Sequence, residues 1–286
     1  MNKVGIICQD EIEVVGNCKY NNYRLALQYY LLCKLVDVKS VDDLDGLDVL
    51  FIIDECHIRH IHVWKNINFI NAVNDKNIKV IVFNFTRIYR SVLPWKTDTQ
   101  DFLNQFKKIT QFVGDVDDAK VLKQTVINKC FMSKQTVLPV DDFDITNKQG
   151  TIYLGSHSMF MGRRDRLIEK MEKAFDKNVF ITDHKLSYKD YICKINRYKF
   201  IICPLSTNKC IGFRFYEALK LNSIPVQEIR EDMRPWYPEL EACVPYNFPA
   251  DLNPRMLVVV DNSQKYNNYY LEDYFNDISL INYLNG

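Results

Sequence analysis

The sequence predicts an α/β protein built from two doubly wound units. Three observations predict it. Short, nearly continuous apolar runs recur along the chain, as parallel strands covered on both faces require. Longer amphipathic stretches of helical period separate those runs. A polar, acidic stretch near the middle interrupts the rhythm, which then restarts.

In the first unit, strands are expected at Val4–Cys8, Val49–Ile53 and Val80–Phe83, with a weaker one at Gln111–Val113. Helices are expected over about Asn21–Leu35, Ile58–Asn74 and Asp117–Phe131. Pro139–Gly150 opens on proline, closes on glycine and is acidic between, so it reads as an interdomain linker. The expected division is residues 1–140, a linker at 141–150, and residues 151–286. The second unit reads as strand Thr151–Leu154, helix Arg163–Phe175, strand Val179–Ile181, helix Tyr188–Tyr198 and strand Phe200–Cys203. Helix Phe213–Leu221, strands Ile224–Gln227 and Met256–Val260, and a helix from about Tyr270 complete it. In open α/β sheets ligands lie beyond the carboxyl ends of the strands, so two facing units offer two half-sites across a cleft.

Composition narrows the function. The 286 residues are 47% hydrophobic and 13% aromatic, enough for a large core, which excludes wholesale disorder. The 37 Lys and Arg nearly cancel the 36 Asp and Glu. Neither half is a polycation, so coating of nucleic acid or a membrane surface lacks its electrostatic drive, and any bound anion needs a local site. Nine scattered cysteines, an odd number without a Cys-x-x-Cys pair, fit reduced thiols in a cytoplasmic setting, most of them apolar fillers. No apolar run approaches the roughly 18 residues of a membrane span.

The most informative stretch runs from Tyr198 to Val226. A buried strand, Phe200–Cys203, passes through Pro204 into a polar loop, Ser206–Gly212, which feeds a helix starting near Gly212. Backbone N–H groups and the positive end of that helix face whatever sits above the sheet, which suits phosphate. Arg214 adds a fixed cation in the first turn. Glu217, three residues on, shares its face. A plain i,i+3 surface ion pair is the competing account of these two residues.

The order Tyr-Lys-Phe, apolar strand, Cys-Pro, polar loop, Arg214-Phe215-Tyr216-Glu217-Ala218-Leu219 and Ile224-Pro225-Val226 resembles the donor-binding segment of exostosin-like glycosyltransferases. The chain departs from that family at Asn222-Ser223, where Gly-Cys is usual, and at Leu205, where Gly is usual. The likeness covers about residues 150–245, and the first half only by architecture. A similar skeleton recurs in fucosyltransferases of the same architecture. The resemblance implies the GT-B fold, two Rossmann-like domains facing across a cleft. It also implies transfer of a sugar from a nucleotide-sugar, a UDP-sugar such as UDP-xylose or another UDP-hexose or UDP-pentose, to a hydroxyl of a glycan acceptor. Inversion at the sugar carbon, no bound metal and no cofactor are implied, the nucleotide-sugar being a substrate. Glu217 would hold the ribose hydroxyls, whose vicinal pair suits a carboxylate. Ser206, Gly212 and Arg214 would face the diphosphate.

A second anion site is expected after the first strand of the second unit. Gly155 and Ser156 lead through His157, Ser158 and Gly162 into Arg163 and Arg164 at a helix start. These residues resemble those that oppose the leaving diphosphate in GT-B enzymes. Arg163 or Arg164 would neutralise charge that grows as the sugar departs. A basic surface turn pairing with Asp165 or Glu169 is the alternative. Thr182 and Asp183 stand where such enzymes hold the nucleotide base.

An inverting transfer needs a base near the acceptor hydroxyl. Asp54, Glu55 and His57 follow the strand ending at Ile53 and are the candidates, with Asp10 and Glu11 as rivals. A helix cap is the competing role for Asp54 or Glu55. His57, His60 and His62 lack the spacing of a helical zinc site. Asp42-Asp43 and Asp117-Asp118 read as solvated turn and cap residues, and most tyrosines as packing. The rival functions are a fucosyltransferase-like enzyme using GDP-fucose, a non-catalytic α/β sugar-binding protein, and a structural assembly protein.

Overall fold

The computed structural model describes residues 3–8, 18–54, 61–85, 94–141, 143–154, 168, 169, 173, 175, 186–205, 209–258, 260 and 263–285. Among them the first half forms a five-stranded sheet from β1 (Val4–Ile7), β2 (Val36–Asp37), β3 (Val49–Asp54), β4 (Lys79–Asn84) and β5 (Ile109–Val113). Every pairing is parallel, in the order β2-β1-β3-β4-β5. The apolar runs bury both faces, as the sequence predicts. Phe51, Ile53, Ile81 and Phe83 point to one side with Tyr23 and Leu27 of the helix Cys18–Leu31. Leu50, Ile52, Val80 and Val82 point to the other, against Phe69, Ile70 and Val73 of the helix Ile67–Asp75. Gly5 is required by close approach, since a Cβ there would stand 2.6 Å from Leu47 Cδ1.

The second half builds four described parallel strands, β6 (Thr151–Ile152), β7 (Phe200–Cys203), β8 (Ile224–Glu228) and β9 (Val244–Tyr246), in that spatial order. The helices Tyr188–Ile195 and Phe213–Lys220 precede and follow β7. The strand expected at Val179–Ile181 and most of the helix expected at Arg163–Phe175 lie outside the described residues.

Three expectations are corrected. The helix expected over Ile58–Asn74 is broken: Asn66 caps a new helix at Ile67 by accepting the Asn68 N–H at 2.9 Å. The helix expected over Asp117–Phe131 covers only Val116–Val121, because Lys123 turns left-handed at φ 53°. The following residues Ile127, Cys130 and Phe131 keep their apolar pattern by packing in the core. The described residues of the strand expected at Met256–Val260 form none: Pro254–Met256 is a 3₁₀ turn and Val258 is 58% exposed. Its place beside β8 is taken by Val244–Tyr246, whose Pro245 suits an edge strand of this sheet.

One apolar cluster runs through both halves, from Phe51 and Phe83 to Ile201, Phe215 and Leu219. The helix Leu271–Asp277, followed by a last helix at Leu280–Asn285, returns to the first sheet, with the Phe275 ring 5.6 Å from Tyr30, 5.8 Å from Phe83 and 5.9 Å from Tyr23. Glu272 fastens it there by accepting Ser133 Oγ at 2.5 Å and the Lys134 N–H. The segment 141–150 is fixed to the second half. Lys148 Nζ donates to Asn196 Oδ1 at 2.7 Å and to Ser223 Oγ at 3.1 Å.

Candidate functional site

The order of the first sheet reverses between β1 and β3, which makes their carboxyl ends the switch point where α/β sheets bind ligands. Asp54 is the last residue of β3, in register with Asn84 of β4, and so stands at that edge. Its side chain, and Asp10, Glu11, Glu55, His57 and His60, lie outside the described residues. So do Gly155, Ser156, Arg163, Arg164, Thr182, Asp183 and Ser206.

The Tyr198–Val226 stretch folds as the strand–loop–helix–strand unit its sequence predicts. Gly212 is the N-cap of the helix, and Phe215 N–H donates to its carbonyl at 3.2 Å. Gly212 offers no side chain to the first turn. Arg214 enters that turn with its guanidinium 5.1 Å from the centre of the Tyr153 ring. Arg214 Nε is shut off from solvent and has no hydrogen-bond partner among the described residues. Burial would lower the Arg214 guanidinium, but Tyr191, Tyr153, Cys203 and Glu217 around it hold it above its ordinary value.

Glu217 is 2% exposed, which corrects the picture of an i,i+3 surface pair. Tyr191 Oη donates to Glu217 Oε2 at 2.8 Å. Burial, then the neighbouring Glu217 carboxylate, pushes the Tyr191 hydroxyl well above its ordinary value. Cys203 ends β7 beneath this group, and burial raises its thiol too. Tyr153, Tyr191 and Cys203 therefore join the two residues that sequence reasoning singled out. Tyr153 was within reach of that reasoning, since it directly follows β6 and so lies at its carboxyl end. Tyr191 was not, because nothing local marks a tyrosine on an amphipathic helix as a polar partner.

At the carboxyl end of β8, Glu228 is 1% exposed and receives the Leu205 N–H at 3.3 Å and Arg230 Nη2 at 3.1 Å. These bonds hold the exit of β7 against the exit of β8. The loop leaving β7 also meets the loop leaving β5 in the first half. Lys209 N–H donates to Asp115 Oδ2 at 3.1 Å, and Lys209 Nζ stands 2.8 Å from Asp117 Oδ1 and 2.7 Å from Asp232 Oδ2. Asp115 caps the helix Val116–Val121, and Asp118 is buried rather than solvated. Carboxyl-end loops of the two sheets are thus bonded to each other.

Two all-parallel sheets with crossover helices make the chain a doubly wound α/β protein, the class its sequence predicts. No protein-family model matches the sequence, and no curated protein matches it. Among solved structures the chain is similar to an alpha1,3-fucosyltransferase, at 9% identity and a TM-score of 0.43 over 99% of this chain and 81% of that one. It is similar to the spinosyn forosaminyltransferase SpnP at 9% identity and a TM-score of 0.39, over 100% and 95%. It is similar to the glycosyltransferase SnogD from Streptomyces nogalater at 7% identity and a TM-score of 0.40, over 93% and 76%. At these identities and TM-scores the likeness is loose. Among the described residues no helix is long and apolar enough to cross a membrane.

Proposed function

We propose that this chain is a GT-B glycosyltransferase of exostosin-like type, moving a sugar from a nucleotide-diphosphate donor to a hydroxyl of a glycan acceptor. Residues 151–286 bind the donor, a UDP-sugar, and residues 1–140 bind the acceptor, with 141–150 between them. One observation supports this reading above the others. A half-shielded guanidinium, Arg214, stands in the first turn of a helix at the carboxyl end of a parallel strand, beside the buried acid Glu217. That combination suits a diphosphate joined to a diol.

In this mechanism a base of the first half, Asp54, Glu55 or His57, takes the proton of the acceptor hydroxyl. The freed oxygen attacks the anomeric carbon in line. The bond from that carbon to the diphosphate oxygen breaks with its electron pair, and the configuration inverts. Arg214, Arg163, Arg164 and the helix start at Gly212 stabilise the departing nucleoside diphosphate, and their attraction grows as charge develops there. Gly155, Ser156 and Ser206 line the same anion, and Thr182 and Asp183 the base. No metal or cofactor enters this scheme.

A thermal-shift panel of UDP, GDP and their sugar conjugates, followed by donor hydrolysis assays, tests it. A ligand at a hundredfold its dissociation constant adds about 2.7 kcal/mol of stability. Stabilisation by UDP compounds, with slow hydrolysis lost in Arg214→Ala, supports the reading. A response to GDP compounds alone favours a fucosyltransferase-like enzyme. Tight binding of a free sugar without turnover of any donor favours a sugar-binding protein.

A further inference from the structure

Tyr191 belongs to neither of the stretches that the sequence marks for chemistry, yet it reaches the centre of the donor half. It lies on the helix Tyr188–Ile195, where Ser187 caps the first turn by accepting the Asp190 N–H at 3.1 Å. Tyr191, Ile192 and Ile195 form the inward face of that helix. The Tyr191 ring is 3% exposed and lies 6.2 Å from the ring of Tyr188, nearly parallel at 26°. Packing therefore fixes where its oxygen can be.

That oxygen meets two groups of opposite charge. It donates to Glu217 Oε2 at 2.8 Å, and the Arg214 guanidinium lies near it. The polarity of that bond is forced, because an ionised carboxylate only accepts, so the tyrosine O–H is directed at Glu217. A glutamate side chain also has several rotatable bonds, so a fixed donor at one oxygen lowers the cost of ordering it when a ligand binds.

We infer that Tyr191 is a positioning residue for nucleotide recognition: its hydroxyl orients the Glu217 carboxylate toward the ribose hydroxyls. The inference rests on the nucleotide-sugar reading above. It adds that discrimination of ribose from deoxyribose is set by a residue that touches neither sugar nor phosphate.

Calorimetry of the full chain and its Tyr191→Phe variant, each with UDP, GDP and their 2′-deoxy forms, tests it. Phenylalanine keeps the buried ring and removes only the oxygen. The wild type is expected to prefer the ribonucleotide roughly tenfold, the effect of one hydrogen bond to a charged group. Tyr191→Phe is expected to bring that ratio close to one, by weakening the ribonucleotide more than the deoxy form. In a Glu217→Gln background, where the ratio is already small, the same change is expected to leave it unmoved. This second comparison separates positioning from a general loss of packing. An unchanged ratio in Tyr191→Phe overturns the role of Tyr191 while leaving the donor site standing. Equal weakening of both nucleotides overturns it as well, because that marks a purely structural residue. A wild type that binds neither nucleotide, or both equally, overturns the reading of Glu217 itself.

Discussion

Lys129 Nζ stands 2.8 Å from Glu239 Oε2, and the two residues come from opposite halves of the chain. Their side chains are 14% and 1% exposed. Tyr216 Oη donates to the other Glu239 oxygen at 2.8 Å. Nearby, Tyr237 Oη donates to the Gly114 carbonyl at 2.6 Å, again across the halves. A buried carboxylate is thereby satisfied only when the two sheets are docked.

Removing the cation from this pair leaves a buried charge uncompensated. Lys129→Met is expected to destabilise the protein by about 3–5 kcal/mol. Tyr216→Phe removes one neutral donor and is expected to cost about 1–3 kcal/mol. Urea denaturation of both variants gives the order, and an equal or reversed cost contradicts the interlobe pair.

The Lys209 cluster makes a pH prediction. Burial alone would raise Asp232, but Lys120 and Lys209 hold it below its ordinary value. The hydrogen bonds to Asp117 and Asp232 hold Lys209 above its own. Asp232 therefore adds stability that is present above its unfolded value of about 3.9 and is lost as pH falls through the lower folded value. Lys209 adds stability that is full below about 10.4 and is lost as pH rises through its higher folded value. Asp232→Asn is expected to flatten the acid limb of a melting-temperature profile. The effect is expected to shrink in high salt, since these groups are partly exposed.

Arg214→Ala is expected to weaken nucleoside diphosphate binding about ten- to hundredfold, the loss of one or two charge-assisted hydrogen bonds. Calorimetry measures it directly. Unchanged affinity would remove Arg214 from the donor site.

Phe275 is fully buried against Tyr23, Tyr30 and Phe83. Phe275→Ala is expected to cost about 3–5 kcal/mol and to loosen the helix Leu271–Asp277. Hydrogen exchange in residues 271–277 should rise relative to the strands.

Burial pushes the Cys243 thiol up to about 12 and raises Cys203 as well. Neither is then a thiolate near neutral pH, so alkylating reagents are expected to spare both until urea unfolds the chain. Peptide mass spectrometry reads the labelled positions.

Much of this architecture was legible in the linear pattern. β1, β3, β4, β7 and β8 are apolar runs in the sequence because a strand covered on both faces must be apolar at every position. β9 was not legible: it is short and contains Pro245, which local rules read as a strand breaker although an edge strand tolerates it. The run at Met256–Val260 looked like a strand because apolar content alone does not say whether a neighbour is there to pair with. The helix expected to reach Phe131 stops at Val121 because its remaining apolar residues find burial between the sheets instead.

The sequence by itself determined the parallel strands, the loop-to-helix unit carrying Gly212, Arg214 and Glu217, and a near-zero net charge that leaves any bound anion to a local site. Those follow from local rules of burial and backbone geometry. Only the tertiary structure decided that Glu217 is buried, that Tyr191 donates to it, and that Asp115, Lys129 and Lys209 tie the two halves together. Such contacts join residues far apart in the chain, and a side chain's partner depends on how distant elements dock, which no local pattern encodes.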